Sequence, residues 1–133
     1  MTIAYRDLSR ARCLLLLEQS VMGRLAYCSE SGPRIYPLNY AVYGETIVFR
    51  TAAYTTLGTE IDGRKVAFEV DEVDGVGHGW SIVVSGLAEL VSDPAEAAEL
   101  RRVADPQPWA PGVRSLYVRI PVRRISGRAI GEI

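Results

Sequence analysis

The feature that most constrains this chain is a change of hydrophobic period. Up to Ser20 the apolar residues Leu8, Ala11, Leu14, Leu15 and Leu17 recur at helical spacing, and Asp7 or Ser9 can cap that helix. Past Ser20 the period falls to two. Val21–Cys28 alternates as a strand and is closed by the turn-forming run Ser29-Glu30-Ser31-Gly32-Pro33. Arg34–Tyr43 alternates next, with Tyr36, Leu38, Tyr40 and Val42 on one face, and Gly44-Glu45 makes a two-residue hairpin into Thr46–Thr51. Connections this short join antiparallel strands, because a parallel crossover needs roughly a dozen residues or more. A doubly wound βαβ fold is therefore excluded.

The remaining chain follows the same alternation. Tyr54, Leu57 and Ile61 predict a short helix ended by Gly63. Lys65–Val73 reads as a strand with Val66, Phe68 and Val70 on one face and Glu69 and Asp71 on the other. A glycine-rich loop, Asp74–Gly79, leads into a long strand over Trp80–Val91, where Gly86 marks a bulge or a close backbone approach. Asp93 caps a helix running to about Val103, with Pro94 at its first position and Glu96 three residues after the cap. Pro106, Pro108 and Pro111 force an extended loop around Trp109, and Leu116–Ile130 forms a last long strand with Pro121 and Gly127 as irregularities. The expectation is a mostly β chain, one domain over residues 1–133, with six or so antiparallel strands and three helices. Hairpins and alternating faces favour a closed or nearly closed barrel over an open sheet.

Charge narrows the function classes. Fifteen basic and sixteen acidic side chains give a net charge of −1, without the basic excess that phosphate neutralisation asks of a nucleic-acid binder. The local basic runs, Arg101–Arg102 and Arg119 to Arg128, read as solvated faces. The apolar run Leu14–Leu17 is far shorter than the roughly 20 residues of a spanning helix and lacks the features of a signal peptide, so the expected location is the cytoplasm, with no membrane partner. Cys13, Cys28 and the single His78 do not make a metal set, and none is expected.

No side-chain constellation here performs hard chemistry alone. His78 sits in a glycine loop, and there is no GxSxG elbow to go with it. Gly75-Val76-Gly77-His78-Gly79 opens no helix and so is not a dinucleotide fingerprint. Glu69 and Asp71 share a face and are an acid/base pair in principle, although a solvated strand edge explains them more simply. If the chain is an enzyme, a cofactor supplies the reactivity.

Several short motifs then fall into order: Gly23-Arg24-Leu25-Ala26, Pro37-Leu38-Asn39-Tyr40, Phe49-Arg50-Thr51, Val66-Ala67-Phe68-Glu69-Val70-Asp71, Gly79-Trp80-Ser81, Pro108-Trp109-Ala110-Pro111-Gly112 and Ile125-Ser126-Gly127-Arg128. In order and spacing this set resembles the flavin-binding split-barrel family of pyridoxamine 5′-phosphate oxidase, most closely its small actinobacterial branch. The resemblance implies an antiparallel Greek-key split β-barrel, a homodimer, and FMN in a cleft between two subunits, serving an oxidoreductase that acts on a small molecule. It implies that Asn39 and Tyr40 offer backbone hydrogen bonds beside the flavin ring. Arg50, Thr51, Thr55 and Thr56 would lie near the phosphate. Trp80 and Ser81 would approach the ring, and Trp109 would reach in from the partner. The residues also admit plainer roles. Arg50 can pair with Glu45 or Glu69, the threonines can start and cap a helix, and the two tryptophans can anchor a core or an interface. One departure matters: the family commonly has Lys or Arg in the loop after the Phe49-Arg50-Thr51 motif, and this chain has Thr55-Thr56-Leu57. A phosphate cation missing there costs on the order of 1–3 kcal/mol. Deazaflavin, or a non-catalytic cleft that binds a different ligand or no flavin at all, are the alternatives it leaves open.

Overall fold

The computed structural model describes residues 5–108 and 112–131. A short strand, β1 (Tyr5–Asp7), precedes helix α1 (Arg10–Gln19), which Ser9 caps by accepting from the Arg12 amide. The hairpin β2 (Met22–Ser29) and β3 (Gly32–Asn39) leads to β4 (Ala41–Tyr43), β5 (Thr46–Thr51) and a one-turn helix, α2 (Thr56–Glu60). The chain continues through β6 (Lys65–Val73), β7 (Gly79–Leu87), β8 (Glu89–Leu90), α3 (Pro94–Val103), β9 (Leu116–Pro121) and β10 (Arg124–Ile130). Asp93 caps α3 with Pro94 in its first turn, as the sequence predicts. The hairpin turn Gly44-Glu45 is also as expected, with only Gly44 at positive φ (62°).

The strands form two antiparallel sheets, one in the order β1-β10-β7-β6-β2-β3 and one in the order β4-β5-β9-β8. Three stretches that read as single long strands are each broken, and at each break the chain passes from one sheet to the other. The break in Arg34–Tyr43 falls at Tyr40, that in Trp80–Val91 at Ala88, and that in Leu116–Ile130 at Val122-Arg123. Alternation does not register these corners, because the residues on both sides keep their inward faces. The corner amides are satisfied outside the ladders: Tyr40 donates to the Val21 carbonyl (3.0 Å), Ala88 to Arg64 (2.8 Å) and Val122 to Glu45 (2.9 Å). Gly86 is needed where β7 passes β9, since a Cβ there would sit 2.5 Å from the Pro121 carbonyl oxygen. β1 was not anticipated; three residues are too few for alternation to show.

The inner faces of both sheets meet in one core that includes Leu25, Phe68, Val70, Ile82, Ile47, Phe49 and Ile120, all fully buried. α1 adds Cys13, Leu16 and Leu17 to it. Cys13 packs so closely on β10 that a Cβ at Gly127 would lie 2.5 Å from its sulfur. A smaller cluster, Val48, Val91, Leu100 and Tyr117, seats α3 against β5 and β9. The architecture is the expected mostly β, antiparallel split barrel. Among the described residues no helix is long and apolar enough to cross a membrane.

Candidate functional site

β3 and β5 flank a cavity of about 370 Å3, within the range of roughly 300–1,000 Å3 usual for small-molecule sites. Its walls come from three places. β3 supplies Tyr36, Pro37, Leu38 and Asn39; the end of β5 and the start of α2 supply Arg50, Thr51, Thr55, Thr56 and Leu57; the segment before β9 supplies Arg114. Five of the nine residues expected at a site from the sequence, Asn39, Arg50, Thr51, Thr55 and Thr56, therefore line one cavity.

Local chemistry holds them there. Thr55 caps α2, its hydroxyl accepting from the Gly58 amide (3.0 Å) and donating to the Ala52 carbonyl (2.7 Å). Thr51, buried on β5, has its hydroxyl 3.3 Å from that of Thr55. Helix capping and cavity lining are thus the same act. Gly58 lets the turn lie against β5's end, since a Cβ there would come within 2.0 Å of the Ala52 carbonyl oxygen. Asn39 donates to the Gln107 carbonyl (2.7 Å), tying β3 to the segment after α3.

Arg50 is half-buried and held on several sides. It donates to the Arg114 carbonyl (2.9 Å), meets the Asp105 carboxylate at 3.3 Å and lies 5.4 Å from the centre of the Tyr117 ring. Its acidic partner is thus neither Glu45, which pairs with Arg10, nor Glu69, which pairs with Arg24. Tyr117 donates to the same Asp105 oxygen at 2.7 Å. Burial first, and this bond second, push the Tyr117 phenol above its ordinary value.

Tyr40 is a correction. It does not line the cavity but closes the corner between the sheets, 4% exposed, with its hydroxyl donating to the Leu17 carbonyl at 2.6 Å and its ring edge-on to Phe68. Its amide is already committed to Val21, so it has no backbone donor to offer a ligand. Alternation puts Tyr40 on the inward face with Tyr36 and Leu38, and at the corner between the sheets that face is taken up by the core. Trp80 and Ser81 are not brought to this cavity within the chain. They line another of about 410 Å3, together with Tyr5, Asp71, His78 and Arg128. Trp109 lies outside the described residues. The pair Glu69–Asp71 is not on a sheet edge, since β6 runs between β7 and β2. Arg24, directly across from Glu69, bridges Glu69 (2.9 Å) and Asp71 (3.2 Å), while burial, then Asp71, push the Glu69 carboxyl upward.

Sequence reasoning missed Asp105 and Arg114. Neither belongs to an alternating element, and the only signal was a charged residue on each side of the proline-rich loop. Arg114 bears on the charge balance: the loop after β5 has no cation, and a second arginine, from a distant segment, lines the cavity.

Residues 9–129 match the family model described as pyridoxamine 5′-phosphate oxidase. The chain belongs to the pyridoxamine 5′-phosphate oxidase family. Within it, the uncharacterized protein Rv0080 of Mycobacterium tuberculosis is 30% identical over 127 residues, covering 91% of this chain and 82% of that one. Among solved structures, the FAD binding protein of Mycobacterium smegmatis is 32% identical, with TM-score 0.78 over 98% of this chain and all of that one. A Corynebacterium glutamicum protein provisionally named a pyridoxamine 5′-phosphate oxidase is also 32% identical, with TM-score 0.81 over 99% of both. The family therefore includes flavin-binding proteins that share this chain's fold over nearly its whole length.

Proposed function

We propose that this family member binds a flavin in the β3–β5 cavity and uses it as an oxidoreductase on a small molecule. The observation that carries the reading is the composition of one cavity wall. Arg50, Arg114, Thr51, Thr55 and Thr56 line it together with apolar surface that β3 supplies from Tyr36, Pro37 and Leu38. Guanidiniums and hydroxyls suit a phosphate, and the apolar side suits a planar ring. Arg114 answers the cation missing from the loop after β5, so the Thr55-Thr56-Leu57 departure does not count against a phosphorylated ligand. The flavin binding of the M. smegmatis relative supports the same assignment.

None of the described residues lining the cavity is an acid, a histidine or a cysteine. General acid–base or nucleophilic catalysis by those side chains has no candidate, whereas a bound flavin supplies hydride or electron-pair transfer itself. The chain's own part is to hold the phosphate at Arg50 and Arg114 and to present backbone and Asn39 along β3. FMN is the smallest cofactor that satisfies this wall, with deazaflavin as the alternative.

The active form in this reading is a homodimer. The outer face of the six-stranded sheet carries exposed Tyr5, Val73 and Val83, with Ser81 on that face, whereas Trp80 has the opposite parity and packs against the core. A second copy presenting that side to the cavity would complete the cofactor site and cover apolar surface.

The test is the visible spectrum of purified protein, followed by FMN, FAD and deazaflavin titrations of Arg50→Ala and Arg114→Ala. Each variant loses charged hydrogen bonds worth about 1.5–3 kcal/mol, so each should weaken flavin binding by roughly 10- to 150-fold. A colourless wild type that shows no thermal shift with any of the three flavins overturns the assignment. That result would favour a non-catalytic binding dimer, in which Arg50 serves only Asp105 and Tyr117.

A further inference from the structure

Across β6, β7 and β10 the strand register sets the outward side chains in straight rows. Asp71, Ser81 and Arg128 make one row, and Glu69, Val83 and Ser126 the next. Val73, Gly79 and Ile130 lie to one side of these two rows, and Ala67, Ser85 and Arg124 to the other. β7 is the middle of every row, with β6 and β10 one strand spacing to either side. Val73, Val83 and Ile130 are exposed on this face.

The charges divide by strand. β6 contributes Glu69 and Asp71, and one guanidinium nitrogen of Arg24 serves both, at 2.9 and 3.2 Å, which leaves a negative charge over. Lys65, the other cation on the outer face of β6, stands at the far end of the strand. β10 contributes exposed Arg124 and Arg128, and neither meets a carboxylate among the described residues. Arg128 lies 5.4 Å from the centre of the Tyr5 ring, and Asp7, across from it on β1, makes no ion pair with it. Asp71 and Arg128 flank Ser81 two strand spacings apart, about 9.6 Å, and no ion pair joins them within the chain.

We propose that this face docks on a second copy of itself about a two-fold axis along β7, so that Asp71 and Glu69 of each copy meet the partner's Arg128 and the partner's Arg124. The proposal rests on the homodimer reading given above and adds its register. Rotation about β7 lays β6 over the β10 of the other copy and keeps every row. Aligned sheets pack about 10 Å apart with their strands within about 30° of one another, which is what this axis produces. Asp71 then faces the partner's Arg128, and Glu69 lies between the partner's Arg124 and the partner's Arg128. Val73 covers the partner's Ile130, and Val83 meets its own copy on the axis. An axis across the strands at the same point would instead set Glu69 against the partner's Glu69, a like-charge contact that costs free energy. The axis along β7 also lays β1 of the other copy over β2, beside β3, whose Pro37 and Asn39 line the first cavity.

Charge exchange tests the register. Sedimentation velocity and native mass spectrometry are run on the full chain as wild type, Asp71→Arg, Arg128→Asp, the double variant, and an equimolar mixture of the two single variants. Both positions are exposed, and a thermal melt of each variant verifies folding. Each single variant sets like charges together, so each should raise the dimer dissociation constant about tenfold or more. The mixture should form a heterodimer and the double variant a homodimer, both within about threefold of the wild-type affinity, because each again sets an arginine against a carboxylate. The neutral variants Asp71→Asn and Arg128→Gln should weaken the dimer less, and they replace the reversals if a reversed charge prevents folding.

Single variants that dimerise as tightly as wild type, or that neither the mixture nor the double variant rescues, overturn this register and leave the homodimer standing. A wild type that stays monomeric at tens of micromolar overturns both. Flavin titration of the same samples reads separately: a colourless protein whose dimer follows the charge exchange removes the flavin reading and supports this one.

Discussion

Asp105→Asn should make the protein less stable and its flavin site tighter. Asp105 holds Arg50 at 3.3 Å and accepts from Tyr117 at 2.7 Å, with the two charged side chains 23% and 31% exposed. The gross attraction at that distance is about 5 kcal/mol at an effective dielectric near 20. Desolvation and the ordering of both side chains leave about 1 kcal/mol of it as net stability. Asparagine keeps the shape and an acceptor for Tyr117, so only the ionic part is lost. With an unfolding entropy of roughly 2.1 cal/mol/K per residue over 133 residues, the melting temperature should fall by about 3–4 °C. Asp105→Ala should cost a further ~1–3 kcal/mol, because the buried Tyr117 hydroxyl then has no acceptor. At the cavity the sign reverses. A phosphate at Arg50 competes with this carboxylate and is repelled by it, so removing the charge should tighten flavin binding by about fivefold, equivalent to about 1 kcal/mol. Thermal melts and fluorescence titrations on wild type, Asp105→Asn, Arg50→Ala and the double variant form a cycle in which the stability effect vanishes and the binding effect shrinks to the direct carboxylate–phosphate repulsion once Arg50 is gone. Weaker flavin binding in Asp105→Asn, or an unchanged effect in the Arg50→Ala background, would refute the reasoning.

Three further outcomes follow from the packing. Gly58→Ala should cost about 2–3 kcal/mol in chemical denaturation and impair flavin binding with it, since the added methyl meets the Ala52 carbonyl oxygen at 2.0 Å; Gly75→Ala, with open space around it, should change stability by less than about 1 kcal/mol. Tyr40→Phe should lose about 1 kcal/mol with its hydroxyl's hydrogen bond to the Leu17 carbonyl, which keeps the Ser20 amide as a donor, while leaving flavin affinity unchanged, because Tyr40 serves the corner and not the cavity. Glu69 has its carboxyl pushed above the ordinary value of 4.5, chiefly by burial. The folded state therefore holds that proton more tightly than the unfolded one, and stability declines as pH rises from 4.5 through the raised value. Glu69→Gln should flatten that decline in a pH series of urea melts.

The local elements were readable from the sequence because each rests on short-range chemistry. Ser9 and Asp93 cap helices with their own side chains, Gly44 takes the positive φ of a two-residue turn, and Val66, Phe68 and Val70 alternate over a single strand. The ordered motifs carried the family for the same reason: strand and turn residues at set intervals survive as a linear pattern. Within the candidate site, the contiguous part was readable, from Arg50 and Thr51 to Thr55 and Thr56, because one strand end and one helix cap supply it.

What only the tertiary structure decided lies where the chain changes sheets or returns from a distance. An alternating strand and two strands meeting at a corner have the same inward pattern, so Tyr40, Ala88 and Val122-Arg123 gave no local sign that pairing partners change there. Tyr40 keeps its inward face at such a corner and is packed into the core there, away from the cavity. Arg114 and Asp105 reach Arg50 across 64 and 55 residues, from a segment without periodicity. Period-two alternation specifies which face of a strand is buried, but the charge that faces Arg50 in space depends on how the two sheets close around the core.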